Sequence, residues 1–227
     1  TASNNTALGM SALYTNTTGD MNTAVGKDSM KATTTGTNNS AFGGRSLDAN
    51  TTGTNNVAVG DMALGANTTA NSCVAVGVDS LLANTTGDYN VAIGYLAGKS
   101  ITGASESIAI GYKAFELGTG AQNVAIGTNA LDAAGAGTTN VAVGQGSLSS
   151  NTSGSNNTGV GPSAGMSVTT GSNNTLLGHD AGRTGSPGGS LTDSVNKIVI
   201  GDENIDGAYI QVDWSVGSDQ RDKTDFT

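Results

Sequence analysis

A glycine returns at nearly constant spacing along almost the whole chain, and each one closes a short apolar run such as NVAVG or NVAIG. From Gly9 the interval is 17 residues six times in succession, then 16 once, then 17 three more times as far as Gly178. A twelfth run, NKIVIG, ends at Gly201 after a step of 23 residues. Such a period predicts a repeat architecture in which every unit has the same neighbours on both sides.

The residue types around this glycine predict a strand. The preceding position holds a large apolar residue in every copy, and the position before that is Ala in nine consecutive copies, from Ala7 to Ala142. Asn usually stands four residues before the glycine. Short β-branched runs bounded by Gly and Asn are typical of strands, whereas recurrent glycine destabilises a helix.

Each unit therefore reads as two short strands joined by two Gly/Asn turns. One unit cannot bury its own apolar face, but units stacked at about 4.8 Å per coil can. The predicted fold is all-β: a parallel β-solenoid or β-roll of about twelve 17-residue coils. We expect the residue before the glycine to point into the coil, Ala to point outward, and the Asn residues to stack as an amide ladder. An outward Ala would let another chain approach closely, and a thin coil stack gains burial by association.

Composition excludes several classes of function. The 227 residues include 35 Gly and carry a net charge of -9, which disfavours nucleic acid and anionic lipid as partners. There is one Cys and one His, and no apolar run is long enough to span a membrane. The first residues lack the pattern of a secretion signal and start within a repeat, so we expect a piece of a longer protein. No cofactor is predicted. No metal site is predicted either, because the dispersed Asp20, Asp88 and Asp206 lack the calcium-binding nonapeptide pattern.

The repeat pattern also predicts the division of the chain. Residues 1–178 form the solenoid repeats. Residues 179–217 form an irregular transition that contains the last coil and the alternating segment AYIQVDWSV, whose Trp214 is expected to cap the open end of the stack. Residues 218–227 form a distinct polar tail.

The repeats resemble the head repeats of trimeric autotransporter adhesins, and equally the solenoid segments of phage tail fibres, through runs of the form NVAIG followed by Ala three residues later. The resemblance covers about residues 4–201. It implies β-rolls packed side by side in a homotrimer. The period of 17 departs from the shorter unit of the adhesin heads, so the fold class carries over better than the details of the coil.

The tail GSDQRDKTDF resembles the opening of the endosialidase-type intramolecular chaperone of phage tailspikes and fibres. Ser218, Asp219, Arg221 and Lys223 match the pattern of that family. The resemblance implies a chaperone that trimerises the fibre and cleaves itself between Ser218 and Asp219, with Ser218 as nucleophile and Lys223 as base. A Ser–Lys pair is chemically reasonable, because a desolvated Lys loses its proton readily. The body of such a chaperone is not within these 227 residues, so the pair is expected to be inert here.

Three other sequence features have simpler interpretations. The NTT sequons at Asn16, Asn50, Asn67 and Asn84 are interpreted as turn residues in preference to glycosylation sites. Cys73 replaces a repeat Asn and is interpreted as a stacked turn residue, and His179 as a surface residue. Two Thr columns resemble an ice-binding ladder, but adjacent Thr residues cannot both face outward from a flat strand.

The leading hypothesis is a structural segment of a virion tail fibre that presents or forms a host-adhesion surface. Its expected partners are two further copies of the chain, other virion tail proteins, and a host glycan or protein receptor. The alternatives are a bacterial trimeric surface adhesin head, a glycan-degrading tailspike, for which no paired carboxylates are found, and an ice-binding solenoid. The expected location is the virion or an extracellular surface.

Overall fold

The computed structural model describes residues 1–133 and 135–206, and these ranges are all-β. They contain no helix, and therefore none that is long and apolar enough to cross a membrane. The twelve strands have three residues each: β1 (Thr6–Leu8), β2 (Thr23–Val25), β3 (Ser40–Phe42), β4 (Val57–Val59), β5 (Val74–Val76), β6 (Val91–Ile93), β7 (Ile108–Ile110), β8 (Val124–Ile126), β9 (Val141–Val143), β10 (Thr158–Val160), β11 (Thr175–Leu177) and β12 (Ile198–Ile200).

The strands form one parallel sheet in which sequence order and spatial order are the same, from β1 to β12. Each residue pairs with the residue of the same repeat position in the next coil, as in Ala58↔Ala75 and Ala92↔Ala109. The predicted β-solenoid with 17-residue coils is confirmed. Residues at one repeat position form a column along the solenoid.

Each coil has one regular strand, where we predicted two. On the other side of the coil, the second and fourth residues after the glycine have left-handed backbone angles, such as φ 56° at Asp79 and 48° at Leu81. Alternation with left-handed residues prevents an extended strand. The segment still bonds to the next coil, because Leu81 N–H donates to the Ala97 carbonyl at 3.0 Å.

The expectation about the direction of the strand side chains was wrong. From β2 to β12 the central strand residue, usually Ala, is buried, and its two neighbours are half-buried or exposed. The interior is already filled by the residue four positions after the glycine, typically Leu as at Leu64, Leu81 and Leu131. A coil this thin has room opposite that side chain for little more than a methyl group.

Volume changes in the interior compensate one another within a coil. Where Gly98 and Gly165 replace the interior Leu, the position three residues later changes from Asn to the buried Ile101 and Val168. Where the larger Phe115 occupies the Leu column, that later position becomes Gly118, at which a Cβ would overlap the Phe115 ring. The repeat therefore conserves packed volume within its units even where single columns change.

The predicted amide ladder is confirmed on the buried Asn column four residues before the glycine. Asn140 N–H and Nδ2 both donate to Asn123 Oδ1, at 2.9 and 3.1 Å, and Asn157 N–H donates to Asn140 Oδ1 at 2.9 Å. Asn140 Nδ2 also donates to the Gly154 carbonyl at 2.9 Å. These bonds satisfy buried backbone groups at a turn, where strand pairing does not supply their hydrogen-bond partners.

The last coil includes a six-residue insertion relative to the 17-residue period, yet its strand β12 pairs with β11 in register. Leu191 from the extended turn is buried beside Leu176, near Gly182, where the regular interior Leu is missing. The sheet thus continues past Gly178 into the predicted transition. Residues 207–227, which include Trp214, lie outside the described residues.

Candidate functional site

The most apolar continuous surface that we describe is the outward face of the sheet, which we call the outer sheet face. It consists of the residues one and three positions before each repeat glycine. Between β4 and β9 all of these residues are Val or Ile, and none is buried. The exposed fractions reach 37% at Val59 and 40% at Ile93. Contiguous apolar surface on this scale is unusual for a surface that faces only water.

Aromatic residues extend the outer sheet face at one edge. Tyr95 and Tyr112 directly follow β6 and β7 with their intervening glycines, and about half of each side chain is exposed. Their rings stack with centroids 5.8 Å apart, and Lys113 Nζ lies 5.8 Å from the Tyr112 centroid. Tyr side chains combine apolar area with a hydroxyl, and they are enriched in protein interfaces.

A second surface is formed by the residues two and five positions after each repeat glycine, which we call the paired-residue groove. In several coils the two side chains form an ion pair across it: Asp28–Lys31 at 3.3 Å, Lys113–Glu116 at 3.0 Å and Asp180–Arg183 at 2.6 Å. These pairs are partly exposed, so each contributes little to stability. Their long side chains nevertheless fill the groove where they occur.

Between the last two of these ion pairs the groove opens into a cavity of about 420 Å³. Its lining consists of Asn129, Asp132, Gln145, Gly146, Ser149, Pro162, Ser163, Met166 and His179. A Cβ placed on Gly146 would meet no atom closer than 3.9 Å, which shows that the space above this glycine is open. The cavity exists because Gly146, Ser149 and Ser163 stand in columns that hold longer side chains elsewhere.

Two oxygen atoms that belong to residues lining the cavity lack hydrogen-bond partners among the described residues. They are Asn129 Oδ1 and Asp132 Oδ1, and both are buried from water. Burial raises the pKa of the Asp132 carboxyl, and the nearby charge of Glu116 raises it further against the opposing effect of Lys113. Buried acceptors without partners are uncommon in folded proteins and call for an explanation.

One small cluster has the residue types of a metal site. One ligand atom each from His179, Asp180 and Asp202 lies within 4.8 Å of the others. However, Asp180 already accepts a hydrogen bond from Arg183, and His179 is mostly exposed. Hydrogen bonds from the Asn204 backbone and side chain, followed by the His179 ring, lower the pKa of Asp202. The internal partners of the two carboxylates therefore account for this cluster without an ion.

The sequon Asn residues act as turn residues, as predicted. Asn84 Nδ2 donates to the Gly87 carbonyl at 2.9 Å, and its Oδ1 accepts from Gly87 N–H at 3.1 Å. Asn50, Asn67 and Asn84 are fully buried, so they are inaccessible to a glycosylating enzyme in the folded chain.

The first Thr column is engaged in a ladder of its own. Thr51 Oγ1 donates to the Thr68 carbonyl and Thr68 Oγ1 to the Thr85 carbonyl, each at 3.0 Å. Hydroxyls that bond from coil to coil are less free to order a water lattice, which counts against an ice-binding surface.

Cys73 occupies the Asn ladder as predicted. Its N–H donates to Asn56 Oδ1 at 2.9 Å, and its Sγ lies 3.2 Å from the Gly87 carbonyl. Burial raises the pKa of this thiol to about 11. A buried thiol with a raised pKa is a poor nucleophile at neutral pH.

The residues that sequence analysis singled out for self-cleavage, Ser218, Asp219 and Lys223, lie outside the described residues, together with Arg221. The cavity was missed at the sequence level. A signal for it was present, because Gly146 and Ser149 stand in two columns that carry opposite charges three residues apart in four other coils, as at Lys113 and Glu116. The two oxygen atoms without partners, by contrast, become apparent only in the folded structure.

Comparison of this chain with protein-family models, with curated proteins and with solved structures finds no match.

Proposed function

We propose that this chain is a structural segment of a homotrimeric virion tail fibre that presents an adhesive surface to the host. The observation that carries the proposal is the outer sheet face, a stripe of Val and Ile along at least six consecutive strands. A flat apolar stripe that repeats at every coil suits a partner with the same repeat, and a second and third copy of this chain have it.

The shape of the chain supports a role as a stiff spacer. Eleven steps between twelve strands, at about 4.8 Å each, give a rod of about 50 Å. The hydrogen-bond ladders run parallel to this axis, so bending the rod would disrupt many bonds in succession. The tail sequence from Ser218 to Lys223 favours the fibre over the second candidate, a bacterial trimeric adhesin head, because it resembles the start of a fibre chaperone.

Light scattering on the purified chain tests the assembly. We expect a particle of three times the 22.2 kDa of one chain. A folded monomer at micromolar concentration would contradict the proposal, since the outer sheet face would then remain in water.

The cleavage prediction needs a separate experiment on the full-length expressed protein. We expect mass spectrometry to find a product that ends at Ser218, and the Ser218→Ala variant to remain uncut. An adhesin would instead continue into a coiled-coil stalk and a membrane anchor, and it would not be cut at this bond.

A further inference from the structure

We propose that the cavity between the Lys113–Glu116 and Asp180–Arg183 ion pairs binds a neutral polyhydroxylated ligand, namely one sugar ring of a glycan. This inference deepens the proposed adhesive function and rests on it for its biological meaning. The site lies in the paired-residue groove across the three coils that contain Asn129, Gly146 and Ser163.

The first argument is the hydrogen-bonding state of the lining. Asn129 Oδ1 and Asp132 Oδ1 are both acceptors, both are buried, and both lack a donor among the described residues. Leaving such atoms unpaired costs about 1–3 kcal/mol each, more for a charged group. Rotation of each side chain about its last bond would turn the buried oxygen towards the cavity, where adjacent hydroxyl groups of one ligand would supply the missing donors.

The second argument is the size and composition of the cavity. Its volume of about 420 Å³ falls in the range of small-molecule sites, which is about 300–1,000 Å³. Ser149, Ser163 and Gln145 add groups that can both donate and accept, as a ring with several hydroxyls requires. Met166 and Pro162 supply apolar surface for the C–H faces of such a ring.

The composition of the lining argues against a divalent cation as the occupant. Of the lining residues, only Asp132 carries a carboxylate. Calcium takes about six to eight oxygen ligands within about 2.6 Å, and a single ion would leave most of this volume empty.

The chain itself indicates how to close the cavity without disturbing the fold. Lys113 and Glu116 occupy the same two columns three residues apart, with Lys113 at φ 55°, close to the φ of 64° at Gly146. The double variant Gly146→Lys/Ser149→Glu therefore introduces a pair that the solenoid already accommodates, and its long side chains would fill the cavity. Met62→Lys/Gly65→Glu places the same pair in a coil that does not line the cavity, and it is the matched control.

The test is saturation-transfer NMR on the assembled protein with glucose, galactose, mannose and N-acetylglucosamine as separate probes. At about 10 mM, a sugar with a Kd near 1 mM would occupy most sites. We expect saturation transfer to at least one probe, a loss of at least tenfold in affinity in Gly146→Lys/Ser149→Glu, and no change in the control. Asp132→Ala should weaken binding more than Asp132→Asn, which retains an acceptor oxygen.

Three results would overturn the inference: no transfer to any probe, undiminished transfer in the cavity-filling variant, or chemical-shift changes at the cavity with calcium chloride but with no sugar. Thermal unfolding and light scattering of each variant establish that it is folded and assembled. A trimer that binds no sugar defeats this inference alone, whereas a monomer defeats the proposed function, so the two failures are distinguishable.

Discussion

The repeat glycine shows how a single residue type determines the geometry of a coil. At Gly60 the φ angle is 133°, a region that side-chain-bearing residues rarely adopt, and a Cβ there would lie 2.6 Å from the carbonyl carbon and oxygen of Gly77. Each such glycine meets the glycine of the next coil, so the column must be glycine throughout. This double constraint explains the invariance that makes the period visible in the sequence.

The variant Gly60→Ala is therefore expected to destabilise the fold by at least about 3 kcal/mol, because backbone strain adds to a clash with rigid backbone. Urea unfolding followed by circular dichroism measures the change. Gly103→Ala is the control, since Gly103 is exposed and its φ is outside the left-handed region. Equal stability of the two variants would show that the column is not constrained as described.

Cys73 gives a prediction with a defined pH dependence. Its pKa is raised from 9.0 to about 11, so above pH 9 the unfolded chain releases the proton first and unfolding becomes more favourable. The thiol contribution is fully present below pH 9 and is lost as the pH rises towards 11. At about pH 10.5 the loss is about 1–2 kcal/mol.

The variant Cys73→Asn removes this titration and restores the ladder, since Oδ1 can accept from Asn90 N–H as in neighbouring coils. We expect a gain of about 1 kcal/mol at pH 8 and a larger gain at about pH 10.5. Urea unfolding of both proteins at the two pH values checks this, because other titrating groups cancel in the comparison. A gain that does not grow with pH would contradict the raised pKa.

At the scale of the element, a strand of three residues forms few backbone hydrogen bonds with its neighbours. Side-chain ladders supply further hydrogen bonds between consecutive coils. The Asn ladder bonds consecutive coils at one turn, and the Thr ladder bonds them at another. Buried amides that both donate and accept are suited to this task, because each can satisfy groups of the coils on both sides.

Asn140→Ala tests the ladder. The change leaves Asn157 N–H without its acceptor and removes a donor from the Gly154 carbonyl, at a cost of about 2–4 kcal/mol. Thermal unfolding measures it against Asn156→Gly, an exposed neighbour whose left-handed φ of 58° suits glycine. A cost below about 0.5 kcal/mol for Asn140→Ala would mean that water replaces these bonds.

Some features of the strands and turns could be predicted from the sequence, and others could not. The period, the parallel stacking and the Asn ladder could be predicted, because each follows from one column with one residue type. The direction of the strand side chains could not be predicted, because alternation along a strand does not tell whether Ala or its larger neighbours face inward. That choice depends on the volume that Leu81 and its equivalents already occupy in the interior. The cavity beside Asp132 depends on which neighbouring side chains are short, a property of three coils together.

At the scale of the whole molecule, apolar side chains are found both inside the coils and on the outer sheet face. One Leu-sized side chain per coil, together with Ala and Asn, fills the interior, while the Val and Ile side chains of the sheet face outward. A single chain satisfies most of its buried hydrogen-bonding groups in the described residues but leaves an apolar stripe along the rod. Burial of this stripe in an assembly would supply hydrophobic stabilisation that the thin interior lacks.

The double variant Ile93→Glu/Ile110→Glu tests this argument, because it places two charges in adjacent coils of the outer sheet face. Desolvating unpaired carboxylates in an interface is costly, so we expect light scattering to show dissociation from three chains to one, and a lower melting temperature by circular dichroism. Ser153→Glu/Thr170→Glu adds the same charges to adjacent coils at exposed turn positions and should leave both measurements unchanged. If the variant with charges on the sheet remained trimeric and equally stable, the chains would have to associate through another surface. The paired-residue groove would then be the candidate, and an interface there would partly cover its cavity.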